Sequence, residues 1–307
     1  MSRLSLAYLA LVVTTFVWAS SLILAKIIFA ENVGPIVFVA LRYTLACPFL
    51  LIMTVYQKKR KTIDDTKQHW KILAIAGLSG PFISQIMQYI GLEMTAASDA
   101  LLLLNLTPIF AVILAAIILN EALTLEKLGG LFIATIGATL IVLNTPSDYV
   151  GFNFLRIFGD LIVIASTFFF AINGIAGKIA VRSVDAVSTT FYSTLVAVPF
   201  IWISAVLLED VTILFRMSVL SWVLVLWVAV VNTVLAFILY YESMKYIEAS
   251  RVQITLNLIG VWGVLMSVIV LQETVTILQL FGGFLTMVGV VLAQMMPKQS
   301  KVNENYL

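Results

Sequence analysis

Charge, sulfur and histidine are scarce in this chain. Of its 307 residues only 11% are charged, and it has one cysteine (Cys47) and one histidine (His69). A lone cysteine excludes a disulfide framework and any multi-thiolate metal site. A lone histidine leaves little for zinc or for Ser-His catalysis, so neither metal nor cofactor is expected. So few charges cannot keep a folded protein of 33.8 kDa dissolved, since an average soluble domain is about a quarter charged. The formal net charge of +2 makes no strong field for a polyanion, and no nucleic-acid partner is expected. What the chain has in excess is apolar: 62% hydrophobic residues and a mean hydropathy of +1.08. That excess must face lipid. The chain reads as an all-α polytopic membrane protein.

A helix needs about 20 apolar residues to cross the hydrocarbon. Ten runs qualify: Leu6–Phe29, Pro35–Tyr56, Ile72–Gly91, Ala96–Leu119, Leu125–Leu143, Phe158–Val181, Ala186–Leu208, Val219–Tyr241, Ala249–Leu271 and Val275–Met296. The first run is too long for a secretory signal and is read as an uncleaved span. Positive residues near spans stay in the cytoplasm. With the N-terminus inside, fourteen Lys and Arg fall on the inner side and only Arg156 and Arg216 on the outer; Lys26 and Arg42 lie within spans. An even span count then places both termini in the cytoplasm of a cell-membrane protein. The basic run Lys58–Lys61 serves as an orientation signal.

Slid against itself, the chain matches at one offset, 152 residues. Glu121-Ala-Leu-Thr124 falls on Glu273-Thr-Val-Thr276, Asn105 on Asn257, Ala97-Ser98 on Ala249-Ser250, Gly130 on Gly282, Gly137 on Gly289 and Lys26 on Lys178. From Ala97 to Thr145, 15 of 49 positions are identical, and shared apolar composition does not account for the Glu, Asn, Thr and Gly matches in register. Two repeats follow, residues 6–143 and 158–296, each of five spans. An odd number inverts the second copy relative to the first, a design that recurs in secondary transporters because exchanging the two conformations turns an outward-open cavity inward.

Trp18-Ala-Ser-Ser, Leu41-Arg42-Tyr43, Asn105-Leu-Thr-Pro108 and the Glu121-x-x-Thr124…Gly130…Gly137 pattern that recurs from Glu273 together resemble the EamA-type branch of the drug/metabolite transporter superfamily. The likeness runs from about Ala7 to Met296, with Gly260 where the second half would match Pro108. It implies export or exchange of small metabolites, such as amino acids, through a central cavity.

Ionisable side chains inside spans cost a few kcal/mol and are functional candidates by default. Arg42 leads. Its fork of donors suits a carboxylate; the structural alternative is a pair with Asp99 or Glu93, or a stem that snorkels to the interface. Snorkelling also fits Lys26. Lys178, the copy of Lys26, lies at the inner end of its span near Glu242, Arg182 and Asp185. Matched charge clusters, with Lys26 and Asp99 at one mouth and Lys178 and Glu242 at the other, suggest alternating gates. Gln85, Gln88 and Tyr89 share a helical face. Trp18, Tyr43, Asn105, Asn173, Tyr192, Asn232, Asn257 and Trp262 add amides and aromatic rings at comparable depth, either facing a substrate or joining helices. The glycines of the fifth and tenth spans offer close-packing seams within the chain or in a homodimer. Pro108 frees a backbone carbonyl that can face the cavity. Glu121 and Glu273 are expected to cap the helices that follow them.

Asp99, Glu93, Glu121, Glu242 and Glu273 fall near span ends, which favours facilitated export or exchange over proton antiport. An enzyme would need a nucleophile–base set, paired acids or a metal cluster, and the sequence offers none. The reading is a secondary transporter of amino-acid-like solutes. The runner-up is a multidrug exporter of lipophilic cations, which would want a deep acid where this chain has Arg42.

Overall fold

The computed structural model describes residues 3–56, 68–118, 125–143, 154–247, 252 and 255–294. Glu121, Ala249, Ser250 and Lys58–Lys61 therefore lie outside the described residues. Those described are helical throughout with short turns and no strand. In lipid this is the physical requirement: water is absent, so every backbone N–H and C=O must be satisfied inside its own segment.

The elements are α1 Arg3–Phe29, α2 Pro35–Tyr56, α3 Trp70–Met94, α4 (residues 97–118), α5 Leu125–Leu143, α6 Phe154–Ala180, α7 Ala186–Leu208, α8 Val219–Ser243, α9 Leu258–Val270 and α10 Ile277–Gln294. Among the described residues α1, α2, α3, α6, α7 and α8 are long and apolar enough to cross a membrane, while α4, α5, α9 and α10 contain shorter apolar stretches. The face where α1 ends and α2 begins is called the upper face below, and the opposite one the lower. Asn32, with φ of 62°, takes the left-handed conformation that stops α1 and lets α2 start within a few residues.

The two halves interlock. α1 packs on α8 and α9 of the second half, and α6 packs on α3 and α4 of the first. Contacts of one half recur in the other at the same 152-residue spacing, on the opposite face. Lys26 Nζ donates to the Thr95 carbonyl at 2.6 Å, and Lys178 Nζ to the Ile247 carbonyl at 3.2 Å. Phe16 meets Trp262 edge-on at 5.8 Å, and Phe168 meets Phe110 at 5.7 Å. The third helix of each half widens into a π-helical stretch, Leu78–Ser84 in α3 and Val228–Leu235 in α8. A π-helix leaves the usual carbonyl ladder locally unpaired and concentrates at functional sites.

The glycine seam lies between α5 and α10. A Cβ on Gly137 would stand 2.5 Å from the Gly282 carbonyl oxygen, and one on Gly289 would stand 2.6 Å from that of Gly130. Only glycine allows these backbones so close where no hydrophobic force drives helices together. Gly129 differs, with open space where its side chain would go.

Candidate functional site

Between the halves lies a small cavity of about 50 Å³, lined by Trp18, Ser21, Leu22, Arg42, Gln85, Gln88, Tyr89, Leu104, Thr107 and Pro108 of the first half and Phe170, Phe237, Leu256, Asn257 and Ile259 of the second. It has room for a few water molecules, well short of the roughly 300 Å³ of a typical ligand pocket. The two halves leave little room between them in this conformation.

Arg42 organises the wall. It is 2% exposed. Nε donates to Thr233 Oγ1 at 2.6 Å, and Nη1 to Tyr89 OH at 2.7 Å, Gln85 Oε1 at 2.9 Å and, more weakly, Ser21 Oγ at 3.4 Å. Nη2 makes one long contact, 3.5 Å to the Asn232 carbonyl, and is the corner of the fork best placed for another oxygen. Gln85 and Tyr89, four residues apart, lie on the same side of α3, and Ser21 joins Tyr89 OH at 2.6 Å. Every acceptor is neutral. Among the described residues no carboxylate reaches Arg42, so neither Asp99 nor Glu93 is its partner and the expected pairing does not form. The result is a buried cation, solvated by hydroxyls and an amide but not neutralised.

Opposite it the wall is apolar and aromatic. Trp18 places its ring 5.0 Å from Phe237 and 5.8 Å from Phe170, while its Nε1 donates to the Asn232 carbonyl at 3.1 Å. That carbonyl belongs to the π-helical stretch of α8, so the widened turn supplies an acceptor to both Trp18 and Arg42. Asn257 completes the wall; it is 3% exposed, and neither its Oδ1 nor its Nδ2 has a partner among the described residues.

Of the candidates named from sequence, Trp18, Arg42, Gln85, Gln88, Tyr89 and Asn257 come together here. The others lie elsewhere. Tyr43 is buried with its ring 5.4 Å from the Arg42 guanidinium carbon, off the cavity wall. Asn105 sits against Gly260, Nδ2 standing 2.5 Å from where a Cβ would be. Asn173 donates to the Ala76 carbonyl at 2.9 Å and to Tyr241 OH at 3.4 Å. Asn232 donates to the Val17 carbonyl and to Ser20 Oγ, tying α8 to α1. Tyr192 is half-buried against Phe191, and Trp262 against Phe16. The carbonyl of Leu104 beside Pro108 accepts the Thr107 hydroxyl at 2.8 Å and so is already occupied. Sequence reading missed Ser21, Thr233, Phe170 and Phe237. Two of these were within reach, since Phe170 and Phe237 are the 152-residue matches of Trp18 and Gln85.

The residues named for gates form other contacts. Lys26 and Lys178 serve carbonyls at the ends of α3 and α8 within their own halves, Lys178 also taking the Met244 carbonyl at 2.5 Å. Such cations suit the negative end of a helix. Glu242 pairs with Lys245 at 2.5 Å at an exposed site, not with Lys178. Asp99 accepts from Arg156 Nε at 2.8 Å and Nη2 at 2.5 Å through one oxygen and from Gln279 through the other. Among the described residues no lysine–acid latch forms at either mouth; each lysine donates to a carbonyl instead.

The upper face is nevertheless stitched between halves. The Glu273 carboxylate accepts from the N–H groups of Ala97 at 2.8 Å and Ser98 at 2.9 Å, at the start of α4. It caps a helix of the other half, not the one that follows it. Gln272, at φ 55°, takes the left-handed turn just before it. Glu209 does the same for Ile36 and Val37 at the start of α2, at 2.9 and 2.7 Å; burial pushes its carboxyl above the ordinary range although those two amides oppose the shift. Glu31 accepts from the Ser218 hydroxyl at 2.6 Å, and the hydroxyl and amide of Ser218 hold its carboxyl below the usual range.

The model of the EamA-like transporter family matches this chain twice, over residues 5–143 and 157–295. An uncharacterized transporter of Archaeoglobus fulgidus is 26% identical over 292 residues, 94% of this chain and 97% of that one. The uncharacterized transporter YyaM of Bacillus subtilis is 27% identical over 268 residues, 86% of each. A crystal structure at 19% identity shares the fold with a TM-score of 0.67, over 95% of this chain and 97% of the other.

Proposed function

Because the chain belongs to the EamA-like transporter family, we propose that it is a secondary transporter exporting or exchanging small solutes that carry a carboxylate, amino acids among them. It works by alternating access between two inverted five-span halves, in the cytoplasmic membrane, with both termini inside. The observation that carries the substrate reading is Arg42: a buried guanidinium on the cavity wall with only neutral acceptors among the described residues. A carboxylate entering there neutralises a charge the protein leaves uncompensated, and charge-assisted hydrogen bonds are about twice as strong as neutral ones. The apolar wall of Phe170, Phe237, Leu256 and Ile259 accommodates the rest of the solute. The upper face, outer by the lysine and arginine bias, is the side stitched by carboxylates. A lipophilic-cation exporter fits less well, because its cargo would meet a positive charge with no acid in the wall to offset it.

Counterflow into proteoliposomes tests this. Labelled amino acids and small monocarboxylates are expected to exchange with internal unlabelled solute, while a cationic dye is not transported. Dye transport with no carboxylate exchange would overturn the reading.

A further inference from the structure

The cavity wall is not symmetric. Four matched pairs line it from both halves, such as Trp18 with Phe170 and Gln85 with Phe237. Arg42, Ser21, Gln88 and Tyr89 line it while their matches Thr194, Asn173, Tyr240 and Tyr241 do not, and Asn257 lines it while its match Asn105 does not. If each half takes the other's conformation when the transporter turns over, the members off the wall move onto it and those on it withdraw. This rests on the alternating-access reading above.

We propose that the chain holds a second, latent binding site for the same solute, lined by Asn105, Asn173, Thr194 and Tyr241, which forms when the cavity opens to the upper face. Two of these residues already carry the mark of an unused ligand position. Among the described residues, Asn105 is 2% exposed with Nδ2 unpartnered, and Asn173 is fully buried with Oδ1 unpartnered. A buried amide with an unmade hydrogen bond destabilises the state that holds it, and a second state relieves that cost. The latent site differs from the first in chemistry. It offers amides and hydroxyls but no arginine, since threonine stands at 194 where the first half has Arg42. The solute's carboxylate is therefore gripped in one orientation and let go in the other. Loss of a hydrogen bond to a charged group is worth about 10- to 100-fold in affinity, so the solute is held more weakly when the site faces the upper side, while its gradient sets the direction of net transport.

The test is sided thiol labelling in a Cys47→Ser background, with a membrane-impermeant reagent applied to right-side-out and to inverted vesicles. Ser21→Cys and Asn257→Cys are expected to react from the Lys/Arg-rich lower face. Asn105→Cys and Asn173→Cys are expected to react from the upper face. Labelling of all four from one face, or of the latent pair from neither, would overturn the proposal. Should the asparagine variants not reach the membrane, Thr194→Cys against Ser21→Cys repeats the comparison with near-isosteric changes. No solute is needed for this readout. Opposite-face labelling without carboxylate counterflow would sink the substrate reading alone, and counterflow with one-sided labelling would sink the latent site alone.

Discussion

At position 42 the first half of this chain places an arginine, and at the matched position 194 the second half places a threonine. At 85 and 88 the first half has two glutamines where the second has Phe237 and Tyr240. Yet the same two halves reproduce one another's packing closely, down to the lysine that binds the end of the third helix and the aromatic pair joining first and fourth helices. Duplication preserved the scaffold and let the cavity diverge. A symmetric wall would bind alike in both orientations; an asymmetric one binds with a different affinity in each.

Arg42→Met probes that difference most strongly. Removing a buried charged partner costs about 2–5 kcal/mol of binding, so carboxylate affinity is expected to fall by about 30-fold or more in counterflow titrations. Thermal stability should not fall with it, because an uncompensated buried cation gives way to an apolar chain of similar length. Tyr192→Phe in the second half, off the cavity wall, is expected to leave affinity within about threefold. An equal loss from both would erase the contrast between halves.

Gln85→Leu removes one acceptor from the arginine. A hydrogen bond to a charged group contributes about 1.5–3 kcal/mol, and affinity should drop by about tenfold or more. Phe237→Leu, at the matched position, should instead weaken solutes with bulky apolar parts and spare small ones.

Packing is where the halves should behave alike. Gly137→Ala and Gly289→Ala each push a methyl against backbone of the facing helix and are expected to destabilise by a similar amount, about 1–3 kcal/mol, read as lowered melting temperatures in detergent. Gly129→Ala meets open space and should melt with the parent. Unequal effects at 137 and 289 would show that the seam is not shared.

The smallest effect belongs to Glu273→Ala. It takes the carboxylate from two N–H groups of α4, a loss of about 1 kcal/mol by analogy with helix caps, and should raise thiol accessibility at the upper face roughly fivefold. Lys178→Met, whose contacts stay within its own half, should leave that accessibility unchanged.

The fold was legible because lipid imposes a blunt code. Apolar runs of fixed length must be helices, and the bounds read from composition for the seventh run, Ala186–Leu208, coincide with α7. The repeat was equally legible, since matching residues in one register needs no coordinates. Arg42, Gln85, Gln88 and Tyr89 announced themselves as polar groups in an apolar stretch, the last three on one helical face. What stayed hidden was partner choice. Sequence marks Lys26 and Asp99 as charged, but only packing brings a carbonyl to one and Arg156 and Gln279 to the other.

Composition and periodicity by themselves determined that this chain is helical, embedded in lipid, doubled, and furnished with one deep arginine. Tertiary structure decided that the arginine meets no counter-charge among the described residues, that Asn257 lines the cavity while Asn105 does not, and that Glu273 caps the opposite half. The division follows from range: apolar burial and helix formation are set by neighbours along the chain, whereas a hydrogen bond depends on a fraction of an ångström between segments far apart in it.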